Sequence, residues 1–246
     1  MTKIIAELGI NHDGNFKTAK MLINQAKEVG CWGIKFQYRD LKSYLKKNNQ
    51  TELGKEIIDH EIKKNYLSTK QITQLSLYAK KLGLKSGISF FSEIDAKNFS
   101  KKIFDFYKIP SPVCDNFGLI KKLKSFNKKL IISFGGKNYN EIKKIIKLNK
   151  LNTKKIVLMH CISNYPVNEI NSNLGFIDEL KKKYPKCNIG YSSHEQDILN
   201  SILCLSKKVD YIERHITLNK KSSGLDHSSS SDVSEFKKLQ NYNFNF

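Results

Sequence analysis

The chain has 246 residues, of which 39% are hydrophobic, enough apolar material for one large domain with a substantial core. It contains no run of about eighteen apolar residues and begins in a strand-like segment, so the sequence predicts neither a membrane span nor a signal peptide. The net charge of +20 comes from scattered lysines, since Arg39 and Arg214 are the only arginines. No cluster of arginine and aromatic residues accompanies them, which makes a nucleic-acid groove the weaker interpretation.

Five cysteines are spread along the chain without the C-x-x-C spacing of a metal or redox motif. They are Cys31, Cys114, Cys161, Cys187 and Cys204. This usage is typical of reduced thiols in the core of a cytoplasmic protein. We therefore predict a cytoplasmic location and one domain over residues 1–246.

Strand-like and helix-like patterns alternate along the whole length. After a strand over residues 3–10, a helix over 16–29 and a strand over 32–37, residues 38–68 are predicted to be a long loop with a short helix. Ser68 can then cap a helix that runs to Leu82. The later predicted strands cover residues 85–90, 106–109, 129–133, 155–160, 188–190 and 209–212, and the later helices cover 139–148, 174–184, 196–206 and 232–240. Eight strands alternating with helices predict an α/β fold of the (β/α)8 TIM-barrel type. An open doubly wound sheet is the alternative, disfavoured by the lack of a Gly-x-Gly-x-x-Gly turn.

Polar side chains recur at the point where each predicted strand ends. In a TIM barrel, the carboxyl ends of the strands form the mouth that holds the active site. The sequence therefore predicts a single site at this edge. The residues concerned are Glu7, Lys35, Gln37, Ser89, Lys108, Ser111, Ser133, His160, Asn164, Ser192, His194, Glu213 and His215.

Two histidines follow the last two predicted strands. A helix joins these strands, so they should be parallel neighbours that bring His194 and His215 side by side. A pair of imidazoles suits a divalent transition metal. The alternative is that both are ordinary surface or hydrogen-bonded histidines.

Two lysines lie in otherwise apolar strands, where an unpaired charge is costly to bury. Lys35 and Lys108, together with the hydroxyls of Ser89, Ser111, Ser133 and Ser192, describe a site for a phosphate or a phosphorylated carboxylate. Each serine taken alone could equally be a turn residue. Glu7, Glu213 and Asp226 could orient a polyol, move protons or form structural salt bridges.

Six segments resemble motifs of the sialic acid synthase (N-acetylneuraminate synthase) family, in the family's order and over essentially the whole chain. They are residues 5–14, 34–37, 160–166, 190–194, 213–218 and the pair Asp226-His227. The resemblance implies a metal-dependent transferase with a TIM-barrel fold. Such an enzyme joins phosphoenolpyruvate to the open-chain aldehyde of an N-acetylated amino sugar of the N-acetylmannosamine type, and it releases phosphate and a nonulosonic acid.

The resemblance also implies a role for each site residue. His194 and His215 would hold Mn²⁺, with Mg²⁺ or Co²⁺ as alternatives. Glu7, Lys35 and Asp226 would be catalytic. The substrate-binding residues would be Gln37, Ser89, Lys108, Ser111, Ser133, Asn164, Tyr165 and Ser192, most of them on phosphoenolpyruvate, with Gln37 on the sugar. A homodimer is the expected assembly.

Several departures from the family pattern leave alternatives open. Val113 stands where the family has an acid after strand four, and Ser193 replaces the acid beside a predicted metal ligand. Residues 133–136 also differ from the usual Ser-Thr-Gly-Met, and the small antifreeze-like domain of full-length synthases is not expected here. The chain could therefore be an active synthase, one that acts on a different sugar, or one that turns over poorly and needs a partner chain for the missing domain.

Overall fold

In the computed structural model, eight parallel strands pair in chain order and close into a barrel, with helices outside it. The structure describes residues 1–47, 55–162 and 169–245. The strands are β1 Lys3–Glu7, β2 Gly33–Tyr38, β3 Lys85–Phe90, β4 Phe106–Ile109, β5 Lys129–Ser133, β6 Ile156–Cys161, β7 Asn188–Ser193 and β8 Tyr211–His215. The helices are α1 Phe16–Glu28, α2 Leu41–Lys47, α3 Lys55–Lys64, α4 Thr69–Lys81, α5 Glu93–Lys97, α6 Phe117–Lys124, α7 Tyr139–Leu148, α8 Gly175–Lys183, α9 Leu199–Ser206 and α10 Val233–Asn245. The predicted TIM barrel is confirmed. Within these ranges no helix has the length and apolarity to cross a bilayer.

The helix boundaries follow capping signals in the sequence. Ser68 and Gln71 form a reciprocal capping box at the start of α4, as the sequence predicts for Ser68. Asn138 and Glu141 do the same for α7. Between residues 38 and 68 the sequence predicts one short helix, whereas the structure has two, α2 and α3. This segment has no repeating strand pattern from which its helices could be counted.

The barrel interior has two tiers. Towards the amino ends of the strands it is filled by a closed apolar cluster, which contains Ile5, Phe106, Ile131, Val157, Met159 and Tyr211, with Trp32 packed against it. A separate and larger core lies between the strands and the helices. Above the apolar tier the inward-facing residues become polar, so the barrel is packed at one end and chemically functional at the other.

Glycine on β3 makes room for the Phe106 ring of the apolar tier. A Cβ added to Gly87 would lie 2.1 Å from the Phe106 ring, far inside van der Waals contact. A Cβ added to Gly175, at the start of α8, would meet no atom within 4 Å. An added methyl group therefore meets a filled space at Gly87 and open space at Gly175.

We expect Gly87→Ala to lower the free energy of unfolding by about 1–3 kcal/mol, because the added methyl group overpacks the barrel interior. The matched Gly175→Ala variant should change it by less than about 1 kcal/mol. Urea unfolding followed by circular dichroism measures both. Equal stability of the two variants would show that Phe106 repacks freely and that the apolar tier is not tightly filled.

Candidate active site

A cavity of about 430 Å³ opens at the carboxyl end of the barrel. Twelve of the residues predicted for the site line it, namely Glu7, Lys35, Gln37, Ser89, Lys108, Ser111, Ser133, Ser192, His194, Glu213, His215 and Asp226. Of the other three, Asn164 and Tyr165 lie outside the described residues, and His160 does not line the cavity. The strand alternation and the parallel register therefore bring the predicted side chains together in one place.

Four charged side chains form an ion cluster at the floor of this cavity. Lys35 Nζ lies 2.5 Å from Glu7 Oε2 and 3.6 Å from Glu213 Oε1. Lys108 Nζ lies 2.6 Å from the same oxygen of Glu213. Lys35 also donates a hydrogen bond of 2.6 Å to Ser89 Oγ. All four charged side chains are at most 5% exposed, so each charge depends on its partners rather than on water.

The two carboxyl groups of the cluster titrate in opposite directions. Burial raises the pKa of Glu7 to about 7, although Lys35 partly offsets the shift. Burial also disfavours the charged form of Glu213, but Lys108 and Lys35 outweigh it and lower the pKa of Glu213 to about 2. Glu213 is therefore an anion at neutral pH, while Glu7 exchanges its proton readily. Two ammonium groups then face one permanent carboxylate, which favours an anionic ligand.

The two predicted metal ligands lie next to each other, with ring centroids 5.9 Å apart. His194 Nδ1 lies 3.0 Å from the backbone oxygen of Ile162, and its Nε2 lies 3.5 Å from Ser192 Oγ, another residue that lines the cavity. His215 Nδ1 lies 3.4 Å from Asp226 Oδ2. Burial lowers the pKa of His194 to about 4 and that of His215 to about 3. Both imidazoles are therefore neutral at neutral pH, which is the form that binds metal ions.

These donors fit a catalytic metal better than a structural one. Within residues 1–47, 55–162 and 169–245, no three histidine, cysteine or acidic side chains are grouped closely enough to enclose an ion. Two imidazoles would leave most coordination positions for substrate and water, as a reacting metal requires. The Asp226 carboxyl group lies beside the His215 ring, 3.4 Å from Nδ1, which is longer than a usual hydrogen bond.

Behind the two histidines lies a buried arginine on the outer face of β8. Arg214 is fully buried, donates a 2.8 Å hydrogen bond to the backbone oxygen of Glu195, and lies 3.9 Å from Glu195 Oε2. Ser193 bridges the pair: its hydroxyl accepts from Arg214 and donates to Glu195 at 2.5 Å. The resemblance predicts that replacement of an acid by Ser193 leaves this region one carboxylate short. The structure instead supplies a carboxylate from Glu195, two residues later.

A carboxylate moved from residue 195 to residue 193 should still stabilise Arg214. Glu195→Gln should lower the free energy of unfolding by about 3–5 kcal/mol, because it leaves the Arg214 guanidinium buried without a counter-charge. Ser193→Asp added to that variant should recover a large part of the loss, since residue 193 also contacts Arg214. Chemical unfolding of the wild type, the two single variants and the double variant measures the coupling. A double variant no more stable than Glu195→Gln would contradict the shared role.

Two residues singled out in the sequence do not belong to the cavity. His160 faces away from the barrel interior, and its Nε2 lies 2.7 Å from the backbone oxygen of Ser172. Neighbouring residues of a strand point to opposite sides, so the inward-facing residue at the end of β6 is Cys161, whose Sγ lies 2.9 Å from Ser111 Oγ. Val113 packs against the hydrophobic core and does not line the cavity.

Other lining residues come from loops and from α3, and the sequence did not identify them as site residues. They are Ile10, Arg39, Glu61, Ile62, Phe91, Pro110, Pro112 and Leu225. A signal existed for Arg39 and Phe91, which continue the inward-facing alternation of Lys35 and Gln37 on β2 and of Ser89 on β3. No such signal existed for Glu61 and Ile62, since the long segment that contains them has no strand register.

Comparison with known proteins agrees with this geometry. A model of the NeuB family matches residues 22–245. The N-acetylneuraminate-9-phosphate synthase of Drosophila melanogaster is 34% identical over 99% of this chain and 67% of its own length. The N,N'-diacetyllegionaminic acid synthase of Campylobacter jejuni is 33% identical over 97% of this chain and 74% of its own length.

Among solved structures, an N-acetylneuraminic acid (sialic acid) synthetase from Leptospira borgpetersenii in complex with citrate superposes with a TM-score of 0.89 at 27% identity. The superposition covers 99% of this chain and 83% of that one. The family match extends over most of the chain, and relatives above 30% identity are covered over two thirds of their length or more. The chain therefore belongs to the NeuB family and is an enzyme of the sialic acid synthase type.

Proposed function

We propose that this chain condenses phosphoenolpyruvate with the aldehyde of an N-acetylated amino sugar, giving a nonulosonic acid and inorganic phosphate. The observation that carries the proposal is one cavity in which two buried lysines and several hydroxyls lie beside two neutral histidines. The relatives named as synthases of N-acetylneuraminate 9-phosphate and of N,N'-diacetyllegionaminic acid support the same reaction class.

Lys35 and Lys108 bind the phosphate and carboxylate of phosphoenolpyruvate in this proposal, because both are desolvated cations at the cavity floor. The hydroxyls of Ser89, Ser111, Ser133 and Ser192 line the same region and donate hydrogen bonds to the anion. Ser133 Oγ supports this role, since it is buried without a hydrogen-bond partner among the described residues.

The sugar is contacted by Gln37, Asp226 and Glu7 in this proposal, and the acidic groups among them take part in proton transfer. A divalent ion held by His194 and His215, with Mn²⁺ preferred over Mg²⁺ or Co²⁺, would supply Lewis acidity at the sugar aldehyde. Glu7 holds the proton that the aldehyde oxygen takes up, since its pKa near 7 allows proton transfer at neutral pH. The backbone N–H of Gly9 donates to Glu7 Oε1 at 3.1 Å and keeps the carboxyl group in place.

The proposed reaction forms one carbon–carbon bond, consumes one water molecule and breaks the bond between carbon and the phosphate oxygen. The methylene carbon of phosphoenolpyruvate forms a bond to the aldehyde carbon, whose oxygen gains a proton and becomes a hydroxyl group. Water adds to the former enol carbon and loses a proton to give a tetrahedral phosphate ester. The bond between that carbon and the phosphate oxygen then breaks, the new hydroxyl loses its proton, and a keto acid and inorganic phosphate remain.

We expect sugar-dependent phosphate release from phosphoenolpyruvate in the presence of Mn²⁺. His194→Ala should lower it by more than about 100-fold, because removal of a ligand costs more than the 10–100-fold typical of residues that only orient ligands. His60→Ala, which alters an exposed histidine on α3, is the matched control. Mn²⁺ binding measured by electron paramagnetic resonance should weaken in the His194 variant alone. Phosphate release from no amino sugar, in folded and metal-loaded protein, would reject the proposed reaction.

The affinity for phosphoenolpyruvate should fall as the pH rises through about 7. Below that pH Glu7 is neutral and the cluster carries one net positive charge; above it the carboxylate cancels that charge and weakens anion binding. Glu7→Gln stays neutral at every pH, so only the ionisation of the ligand's phosphate, at a second pKa of about 6, should remain.

Calorimetric titration across this pH range tests the prediction. Glu61→Gln, which removes a cavity carboxyl group outside the ion cluster, should keep the wild-type dependence. A Glu7→Gln variant whose affinity falls as steeply as that of the wild type would assign the titration to another group.

The location and assembly remain predictions. All five cysteines are buried and free, which supports a reducing cytoplasm as the site of action. The homodimer is expected from the resemblance alone.

A further inference from the structure

The buried guanidinium of Arg214 contacts the chain on both sides of a predicted metal ligand. Its Nη1 donates to the hydroxyl of Ser193, and its Nη2 donates at 2.8 Å to the backbone oxygen of Glu195. These two residues directly precede and follow His194. Arg214 itself directly precedes His215, the second predicted ligand. One side chain therefore joins the two chain segments that carry the histidines.

The remaining donor of this fork reaches the segment that follows β8. Arg214 Nε donates to the hydroxyl of Ser231, whose backbone N–H donates to the His215 oxygen at 2.8 Å. Ser231 also forms a β-bridge with Ile216, and the loop between these two residues contains Asp226. The Asp226 carboxyl group is the one that lies beside the His215 ring. The guanidinium thus also holds the end of the loop that brings this acid to the site.

Main-chain pairing between β7 and β8 does not extend to His194. In the described part of the chain, the register of these strands ends at the pair Ser193 and Arg214, so His194 lies one residue beyond it. His215, in contrast, is still paired with Glu7 on β1. The hydrogen bonds of Arg214 on either side of His194 therefore connect that ligand to β8 where the strand pairing stops.

The groups that the fork contacts are themselves fixed to the scaffold. Arg214, Ser193 and Glu195 are fully buried, so none of their hydrogen bonds is exchanged readily for one to water. The Glu195 carboxylate accepts from the Ser193 hydroxyl at 2.5 Å, from the Tyr191 hydroxyl on β7, and from the Asn200 amide on α9 at 3.3 Å. Rotamers locked in this way hold a functional side chain more precisely than a loop alone does.

A lysine could supply the charge of Arg214 but not its geometry. An ammonium group carries its three donors on one atom, whereas the planar guanidinium directs donors from Nε, Nη1 and Nη2 to Ser231, Ser193 and Glu195. The chain uses lysine for nearly all of its positive charge, and Arg39 is its only other arginine. The fork at this position is therefore used for its shape as well as for its charge.

We propose that Arg214 is a positioning residue that sets the separation of His194 and His215, and through it the affinity of the site for a divalent metal. The proposal rests on the proposed function, in which these histidines hold the ion. Their ring centroids lie 5.9 Å apart, and each imidazole nitrogen must approach a metal to about 2 Å. Without the fork, residues 193–195 would shift relative to β8, and the cost of ordering them again would weaken metal binding.

Mn²⁺ affinity of the full chain, measured by electron paramagnetic resonance, tests the proposal. Arg214→Lys keeps the charge and loses the fork, so it should weaken Mn²⁺ binding by about 10–100-fold, the range for residues that orient metal ligands. Ser193→Ala and Ser231→Ala each remove one acceptor of the fork and should weaken binding less. These smaller changes keep the proposal falsifiable if Arg214→Lys does not fold.

The matched control is Gly87→Ala, which strains the barrel interior beside Phe106, away from the histidines, and should keep the wild-type affinity. The absorption spectrum of bound Co²⁺ adds a readout that a purely structural role would not change, because its bands depend on coordination geometry. The bands should shift in Arg214→Lys and Ser193→Ala, and they should match the wild type in Gly87→Ala.

Folded variants of the fork with the wild-type Mn²⁺ affinity would overturn the proposal, and so would an equal loss of affinity in Gly87→Ala. Failure of the proposed condensation gives a different result. A wild type that binds Mn²⁺ but releases no phosphate with any amino sugar would reject the reaction, and the affinities of the variants would still decide the role of Arg214. Sugar-dependent phosphate release by a wild type that binds no metal would overturn that role and support the condensation.

Discussion

The carboxylate of Glu213 is the interaction on which the candidate site depends. One of its oxygens lies 2.6 Å from Lys108 Nζ and 3.6 Å from Lys35 Nζ, deep inside the barrel. Without it two buried ammonium groups would face each other with only Glu7 as a counter-charge, and neither lysine would readily stay protonated. Burial lowers the pKa of Lys108, and Glu213 opposes that shift; Glu213 and Glu7 together outweigh burial at Lys35 and raise its pKa. In the proposed function, the charge of these lysines binds the anion at the centre of the barrel.

The position of this cluster follows from the alternation of strand residues, and so does the success of the sequence prediction. A polar residue at the end of an apolar strand points either into the barrel or towards the helices. Side chains alternate between these two directions along the strand, so the position of the residue relative to its neighbours determines the direction. Lys35, Gln37 and Ser89 were placed correctly because their strand bounds were right to within a residue. The prediction for His160 was wrong because it used the residue at the end of the predicted strand, whereas Cys161 faces inward there and neighbouring residues of a strand point to opposite faces.

Features that depend on contacts between distant segments could not be predicted in this way. The fork of Arg214 reaches Ser193 and Glu195 on another strand end, and no local pattern in the sequence marks that pairing. It shows how the chain accommodates Ser193 beside a predicted metal ligand: Glu195, two residues later, supplies a carboxylate near the buried Arg214. A departure from a family motif is thus informative only when the partner of the changed residue is known.

Charged and neutral side chains occupy different parts of the cavity, which would orient a bound substrate. Lys35 and Lys108 lie at the floor, and the neutral rings of His194 and His215 lie in the same cavity. In the proposed condensation, the anionic part of phosphoenolpyruvate binds at the two lysines of the floor, and its uncharged methylene carbon then lies in the cavity that the histidines also line. The aldehyde of the amino sugar would enter the same cavity, so the ion cluster would position one reactant for attack on the other.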